Sequence, residues 1–124
     1  MHLSTPSSSI QISKAAVTTT TDPDFVCAFT DLGIEGRVFS GEQVAALPGT
    51  SLVQVIDPPP DRRLTRNVLY MGIHNRDSVQ HTFTVAHVSA DTRRLIQLTL
   101  ATLESADYTP GHGWRVYTSA GVVK

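Results

Sequence analysis

The sequence holds little that could supply covalent cross-links or membrane insertion. Its 124 residues include a single cysteine, Cys27, so an intrachain disulfide framework is excluded. The apolar neighbours of Cys27 predict a buried thiol that fills the core and is not a nucleophile. No apolar stretch reaches the roughly 18 residues that a membrane span needs, and the N-terminus lacks the basic and apolar regions of a signal peptide. We therefore expect synthesis in the cytoplasm and no membrane partner.

Charge is also scarce, and it is unevenly distributed. Charged residues make up 17% of the chain and the formal net charge is −1, which argues against a nucleic-acid partner bound through bulk positive charge. Residues 1–60 carry six acidic and two basic side chains, a net charge of −4, whereas residues 61–124 carry five acidic and eight basic ones, a net charge of +3. The two halves could meet between subunits, or they could form a mixed, solvated surface.

The first 22 residues predict an extended N-terminal arm. Ser and Thr at 7–9 and 18–21 bracket Ile10, Ile12 and Val17, and helix formers are few. The alternation of Ile10 and Ile12 is typical of a strand, so we expect these three apolar residues to bind a partner at the edge of its sheet. An Asp-Pro-Asp turn then ends the arm, and residues 23–124 remain for one domain.

Residues 23–124 have the pattern of an all-β domain. Phe83 and Val85 alternate with polar residues, and three apolar residues alternate over 96–100, which predicts strands. A long strand over 63–74 should place Leu69 on the same face as the apolar residues at 71 and 73. Only residues 42–47 look helical, and a proline limits them to about one turn. Short strands joined by turns predict an antiparallel β-sandwich or jelly roll.

We expect no catalytic residue, metal or cofactor in this chain. A nucleophile motif, a phosphate-binding loop and a metal motif such as HExxH or CxxC are all missing. His81 and His87 fall on one strand face but about 20 Å apart, too far to share one ion. Those histidines that face outward are instead interpreted as solvent or interface groups. The five histidines are His2, His74, His81, His87 and His112.

Two arginine clusters are the best candidates for charged contacts with a partner. One cluster is Arg62, Arg63 and Arg66, and the other is Arg93 with Arg94. Aromatic residues nearby are too few for a platform that stacks single-stranded nucleic acid. Arginine suits carboxylate recognition across a subunit interface, which is the use we expect here. A solvated surface is the other interpretation.

The last sixty residues contain an ordered series of short motifs. They are Ile-x-Asn-x-Asp at 73–77, Thr-Phe-Thr-Val at 82–85, Thr-Leu-x-x-x-Glu at 99–104, Gly-x-Gly-Trp-x-Val at 111–116 and a C-terminal lysine. Each motif is ordinary strand and turn chemistry, but their order resembles a group of short virion proteins of tailed bacteriophages. The resemblance extends to the Ser/Thr-rich N-terminal segment and is clearest over residues 68–124.

The resemblance implies a structural virion protein and carries no catalytic residue to this chain. On that basis we expect a capsid decoration (cement) protein, with the major capsid protein and itself, as a homotrimer, for partners. The alternative within the group is a tail or fibre adaptor, or a module that binds the host surface through the turns at 75–78 and 109–113. A small β-fold enzyme is the third reading. The histidines at 74, 81 and 87 and the prolines at 58–60 depart from the usual pattern of the group.

Overall fold

A computed structural model of the chain describes residues 1–4, 8–33, 36, 38–61 and 63–124. These residues form ten β-strands and no helix. The strands are β1 (His2–Leu3), β2 (Ser9–Lys14), β3 (Asp24–Gly33), β4 (Val38–Ala46), β5 (Val53–Ile56), β6 (Leu64–His74), β7 (His81–Val88), β8 (Thr92–Leu100), β9 (Ser105–Thr109) and β10 (Gly113–Tyr117).

The strands form two antiparallel sheets that pack face to face, so the predicted β-sandwich is confirmed. Sheet A has the order β10-β9-β6-β3-β4, and β1 also pairs with β6. Sheet B has the order β5-β2-β7-β8. Apolar residues from the inner faces of both sheets fill the space between them. The core includes Leu3, Ile10, Ile12, Phe25, Cys27, Val68, Met71, Ile73, Phe83, Val85, Leu98 and Leu100.

The N-terminal segment differs from the predicted arm. Strand β2 lies inside sheet B, between β5 and β7, and β1 pairs with β6 of sheet A. Ile10 and Ile12 are fully buried in this chain's own core, so the sheet edge that they were expected to find on a neighbour is supplied by β5 and β7. The reason is hydrophobic: without β2 the inner face of sheet B would lose two isoleucines from its centre. Of the three predicted arm contacts, only Val17 is exposed.

Two local predictions are corrected by strand pairing. Residues 42–47, which look helical, lie mostly in β4, because β3 pairs with β4 at nine consecutive positions from Asp24–Ala46 to Leu32–Val38. In β6, a β-bulge shifts the register opposite Ala28 and Phe29. The bulge moves Leu69 off the inner face and lets Val68 point inward beside Met71.

The four lateral edges of the sandwich are not equally open. Strand β5 has four residues and is followed by three prolines at 58–60, a combination that blunts an edge. Strand β10 is covered by the C-terminal tail, where Tyr117 bridges Val123 and the Lys124 amide donates to the Val116 carbonyl. Strands β4 and β8 have nine residues each, and among the described residues neither has a partner on its outer side.

Candidate functional site

The motif residues Asn75 and Asp77 lie at one end of the sandwich, where they hold loops together. Both residues are fully buried. The Asn75 side-chain amide donates to the carbonyls of Val79, Leu100 and Ala101 at 2.9–3.2 Å, and its Oδ1 accepts the Asp77 amide. The Ile-x-Asn-x-Asp motif is therefore a clamp between the β6–β7 turn and the end of β8.

Asp77 extends this clamp to the N-terminal segment. Its carboxylate accepts the backbone amides of Thr19, Thr20 and Thr21 at 2.8–3.2 Å and contacts His81 Nε2 at 2.6 Å. Burial alone would raise the pKa of Asp77, but hydrogen bonds from His81 and from backbone amides at 19, 20 and 78 hold that pKa well below its usual range. The threonine run therefore has a structural role: its backbone amides anchor the chain between β2 and β3.

A third motif residue, Glu104, closes the same end of the molecule. Its Oε1 accepts the Ala101 amide at 2.8 Å, and both carboxylate oxygens lie 3.1–3.2 Å from Lys124 Nζ. The backbone bond to Ala101 and the ion pair with Lys124 lower the pKa of Glu104. The backbone N–H of Asn75 also donates to the backbone carbonyl of Glu104. Three motifs that are far apart in sequence thus meet in one hydrogen-bonded cap.

Arg66 is not the interface residue that its sequence neighbours suggest. It is buried, and its guanidinium makes a bidentate ion pair with Asp31, with Nε–Oδ1 at 2.8 Å and Nη2–Oδ2 at 2.9 Å. Nη1 donates to the Asp57 carbonyl, and the guanidinium lies 3.8 Å above the Phe29 ring centroid. All three groups belong to this chain, so the Arg66 guanidinium is engaged within the fold and is not on an exposed surface.

Three of the other four predicted arginines are exposed. Arg63 is exposed and pairs with Asp61 at 3.0 Å, two residues away. Arg62 lies outside the described residues. Arg93 and Arg94 are exposed on the free edge strand β8, and no ion pair among the described residues engages them. This second cluster therefore stays available for the interface contact that the sequence predicts.

The outer face of sheet A carries exposed apolar side chains in cross-strand pairs. Val26 lies opposite Val44 and Leu32 lies opposite Val38, and these four side chains are between 41% and 71% exposed. Leu69, displaced by the bulge, adds a fifth exposed apolar side chain at 42%. We call these five residues the apolar face. The alternation of residue types could have predicted that Val26 and Val44 each face outward from their strand. That the two side chains lie opposite each other follows only from the register of β3 and β4.

The outer face of sheet B is mostly polar, although Leu95, the residue left unpaired by a register shift in β8, is 42% exposed. Thr82 and Thr99 lie opposite each other and share a hydrogen bond of 2.9 Å between their hydroxyls. Thr84 lies opposite Gln97 on the same face. Exposed hydroxyls and amides are well hydrated, whereas cross-strand pairs of exposed valine and leucine gain from being covered.

A shallow hollow of about 110 Å³ adjoins the apolar face at Gly72. Its lining includes Val26, Tyr70, His74 and Asp107. A Cβ added at Gly72 would lie 2.7 Å from the Tyr70 hydroxyl, so the glycine makes room for that ring. Burial, then the charge of Asp107, raises the pKa of Tyr70. Sites for small molecules are typically roughly 300–1,000 Å³, so this hollow is smaller than such sites.

The histidines are dispersed in the fold. His81 is buried against Asp77, His87 is half-buried in β7, and His74 and His112 are exposed. The described residues contain no group of three or more His, Cys, Asp or Glu side chains placed to hold a metal ion. The described part of the chain also contains no helix long and apolar enough to cross a membrane.

The turns that were expected to serve as ligand loops differ in access. In the turn at 75–78 both Asn75 and Asp77 are buried and occupied by the hydrogen bonds given above. The turn at 109–113 is open, with Gly111 and Gly113 at positive φ and His112 exposed.

Comparisons with known protein families, with curated proteins and with solved structures find no match for this chain.

Proposed function

We propose that this chain is a structural protein of a tailed-phage particle, a capsid decoration protein that binds the major capsid protein and catalyses no reaction. The motif series over residues 68–124 supports the virion assignment by resemblance. The observation that carries the binding role is the apolar face on sheet A, which is set against a mostly polar outer face on sheet B. Its site of action is the virion, after synthesis in the cytoplasm of the host.

Covering the apolar face supplies the binding energy in this proposal. Full burial of a valine or leucine side chain contributes about 1.5–3 kcal/mol, so a half-exposed one gains roughly 1 kcal/mol when a partner covers it. Five such side chains, repeated over many copies on a shell, give a large total through multivalency. Because β1 and β2 belong to the sandwich, adhesion falls to this face and not to an N-terminal arm.

Copy number in the particle is the direct test of location. The ratio of this polypeptide to the major capsid protein is measured by quantitative mass spectrometry in purified particles of the encoding phage. We expect hundreds of copies, near one per capsid subunit or one per few subunits, because a decoration protein follows the capsid lattice. A few copies per particle would instead assign the chain to the tail, and the open turn at 109–113 would become the candidate for receptor contact.

A pair of matched variants tests the binding surface. Val26→Lys places a charge in the Val26–Val44 pair of the apolar face, on a strand that is not at an edge, and we expect it to weaken binding to undecorated capsids at least tenfold. Thr84→Lys makes the equivalent change on an inner strand of sheet B, facing outward, and should bind like the wild type. Equal binding by both variants would exclude the apolar face as the capsid contact.

A further inference from the structure

The two open edges of the sandwich are candidates for strand addition between copies. A strand without a neighbour presents a row of unpaired N–H and C=O groups that another strand can bind. Strand β4 has no proline and no lysine, and its pairing with β3 contains no bulge. It therefore lacks the proline, the lysine and the bulge that commonly blunt an edge. Two of its exposed side chains, Val38 and Phe39, are large and apolar.

The open edges carry opposite charges. Glu42 is the only charged residue of β4, and it is exposed on the outer face of sheet A. Strand β8 carries Arg93 and Arg94, both exposed. Neither Glu42 nor Arg94 forms an ion pair or a side-chain hydrogen bond within the described residues. Opposite charges directly across two strands stabilise their pairing.

We propose that β4 of one copy pairs antiparallel with β8 of a second copy, with Glu42 opposite Arg94. The contact joins sheet A of one copy to sheet B of the next. It requires only this chain, so it is independent of the virion assignment. Each copy then uses its β4 edge to bind one neighbour and its β8 edge to bind another. Such head-to-tail contacts form a closed ring when the rotation between successive copies brings the last copy back to the first. The homotrimer expected from the resemblance would be the three-membered ring.

Pairing of β4 with β4 of a second copy is the competing arrangement. Antiparallel self-pairing that uses most of the strand places the two Glu42 side chains directly opposite or diagonal to each other. Like charges in those positions are destabilising, whereas Arg94 at the same position neutralises Glu42. Charge therefore selects β8 over a second β4 as the partner.

Charge reversal with rescue tests this pairing in the purified chain. Self-association is measured by sedimentation velocity over a range of concentrations. We expect Glu42→Arg and Arg94→Glu each to weaken association roughly tenfold, and the double variant to recover most of it because the charges are exchanged. Arg115→Glu is the matched control, since Arg115 is exposed on β10, whose edge the C-terminal tail already covers. Raising the salt concentration should weaken the wild-type association.

Hydrogen exchange of the wild-type chain gives a second readout that does not depend on the variants folding. We expect amides of both β4 and β8 to gain protection as concentration rises, while those of β5 stay unchanged. A chain that remains monomeric up to about 0.1 mM, a double variant no better than the single ones, or protection gained by β4 alone would each overturn the proposal. None of these measurements depends on the copy number in virions. Failure of the strand-pairing proposal can therefore be distinguished from failure of the proposed decoration role.

Discussion

The Arg66–Asp31 ion pair makes a quantitative prediction about what holds sheet A together. Both side chains are 8% exposed, and the pair joins the far end of β3 to β6. Asp31→Leu leaves a buried guanidinium without its bidentate partner, and Arg66→Met leaves the carboxylate uncompensated. Loss of one member of a buried pair costs about 3–5 kcal/mol, so we expect each single variant to lower Tm by roughly 10–20 °C.

Replacing both members at once has a different expected result. The double variant Asp31→Leu with Arg66→Met removes both charges and keeps apolar volume against Phe29. Exchange of a complete buried ion pair for packed apolar groups is often neutral or stabilising by about 1–4 kcal/mol. The double variant should therefore unfold near the wild-type temperature or above it. The Asp57 carbonyl that loses its donor is at an exposed residue and can bind water instead.

Thermal and urea unfolding followed by far-UV circular dichroism measure these four chains as a double-mutant cycle. Arg63→Met is the control, because Arg63 and its partner Asp61 have side chains that are 76% and 41% exposed. We expect that variant to unfold like the wild type. Single variants at 31 and 66 that lose no stability, or a double variant as unstable as the worse single one, would refute this account of the buried pair.

Two further predictions concern the polar cap and sheet packing. Hydrogen bonding depresses the pKa of Asp77 below its ordinary value of 3.8. The stability that the Asp77 carboxylate contributes is therefore present above about pH 4 and is lost as pH falls further. The urea midpoint of the wild type should fall on acidification, and that of Asp77→Asn should fall less steeply. Protection of the amides at 19–21 should fall in the same variant, and unchanged exchange there would contradict the clamp. In Gly41→Ala the added Cβ would lie 2.7 Å from the Phe29 ring, which Arg66 covers on one face. We expect this variant to be destabilised by about 1–3 kcal/mol. A urea midpoint equal to that of the wild type would show that the ring moves freely.

Local pattern predicted the strands whose two faces differ in burial. Phe83 and Val85 are inward and buried, as their alternation indicates, and the residues at 98 and 100 lie opposite Phe83 and His81. Alternation failed at Leu69, because a bulge changes which side chains face inward without leaving a mark in residue type. It also failed over 42–47, where pairing with β3 outweighs a weak local preference for helix.

The sequence by itself determined the class of fold, because alternating apolar residues and turn chemistry are local properties that survive without knowledge of partners. Only the tertiary structure decided which strands pair, and that choice assigned the functional meaning of many residues. It drew Ile10 and Ile12 into the core, turned Arg66 inward to Asp31, and left Arg94 on an open edge. Arg66 and Arg94 are the same residue type with opposite surroundings, because burial and charge pairing depend on residues brought close from far along the chain.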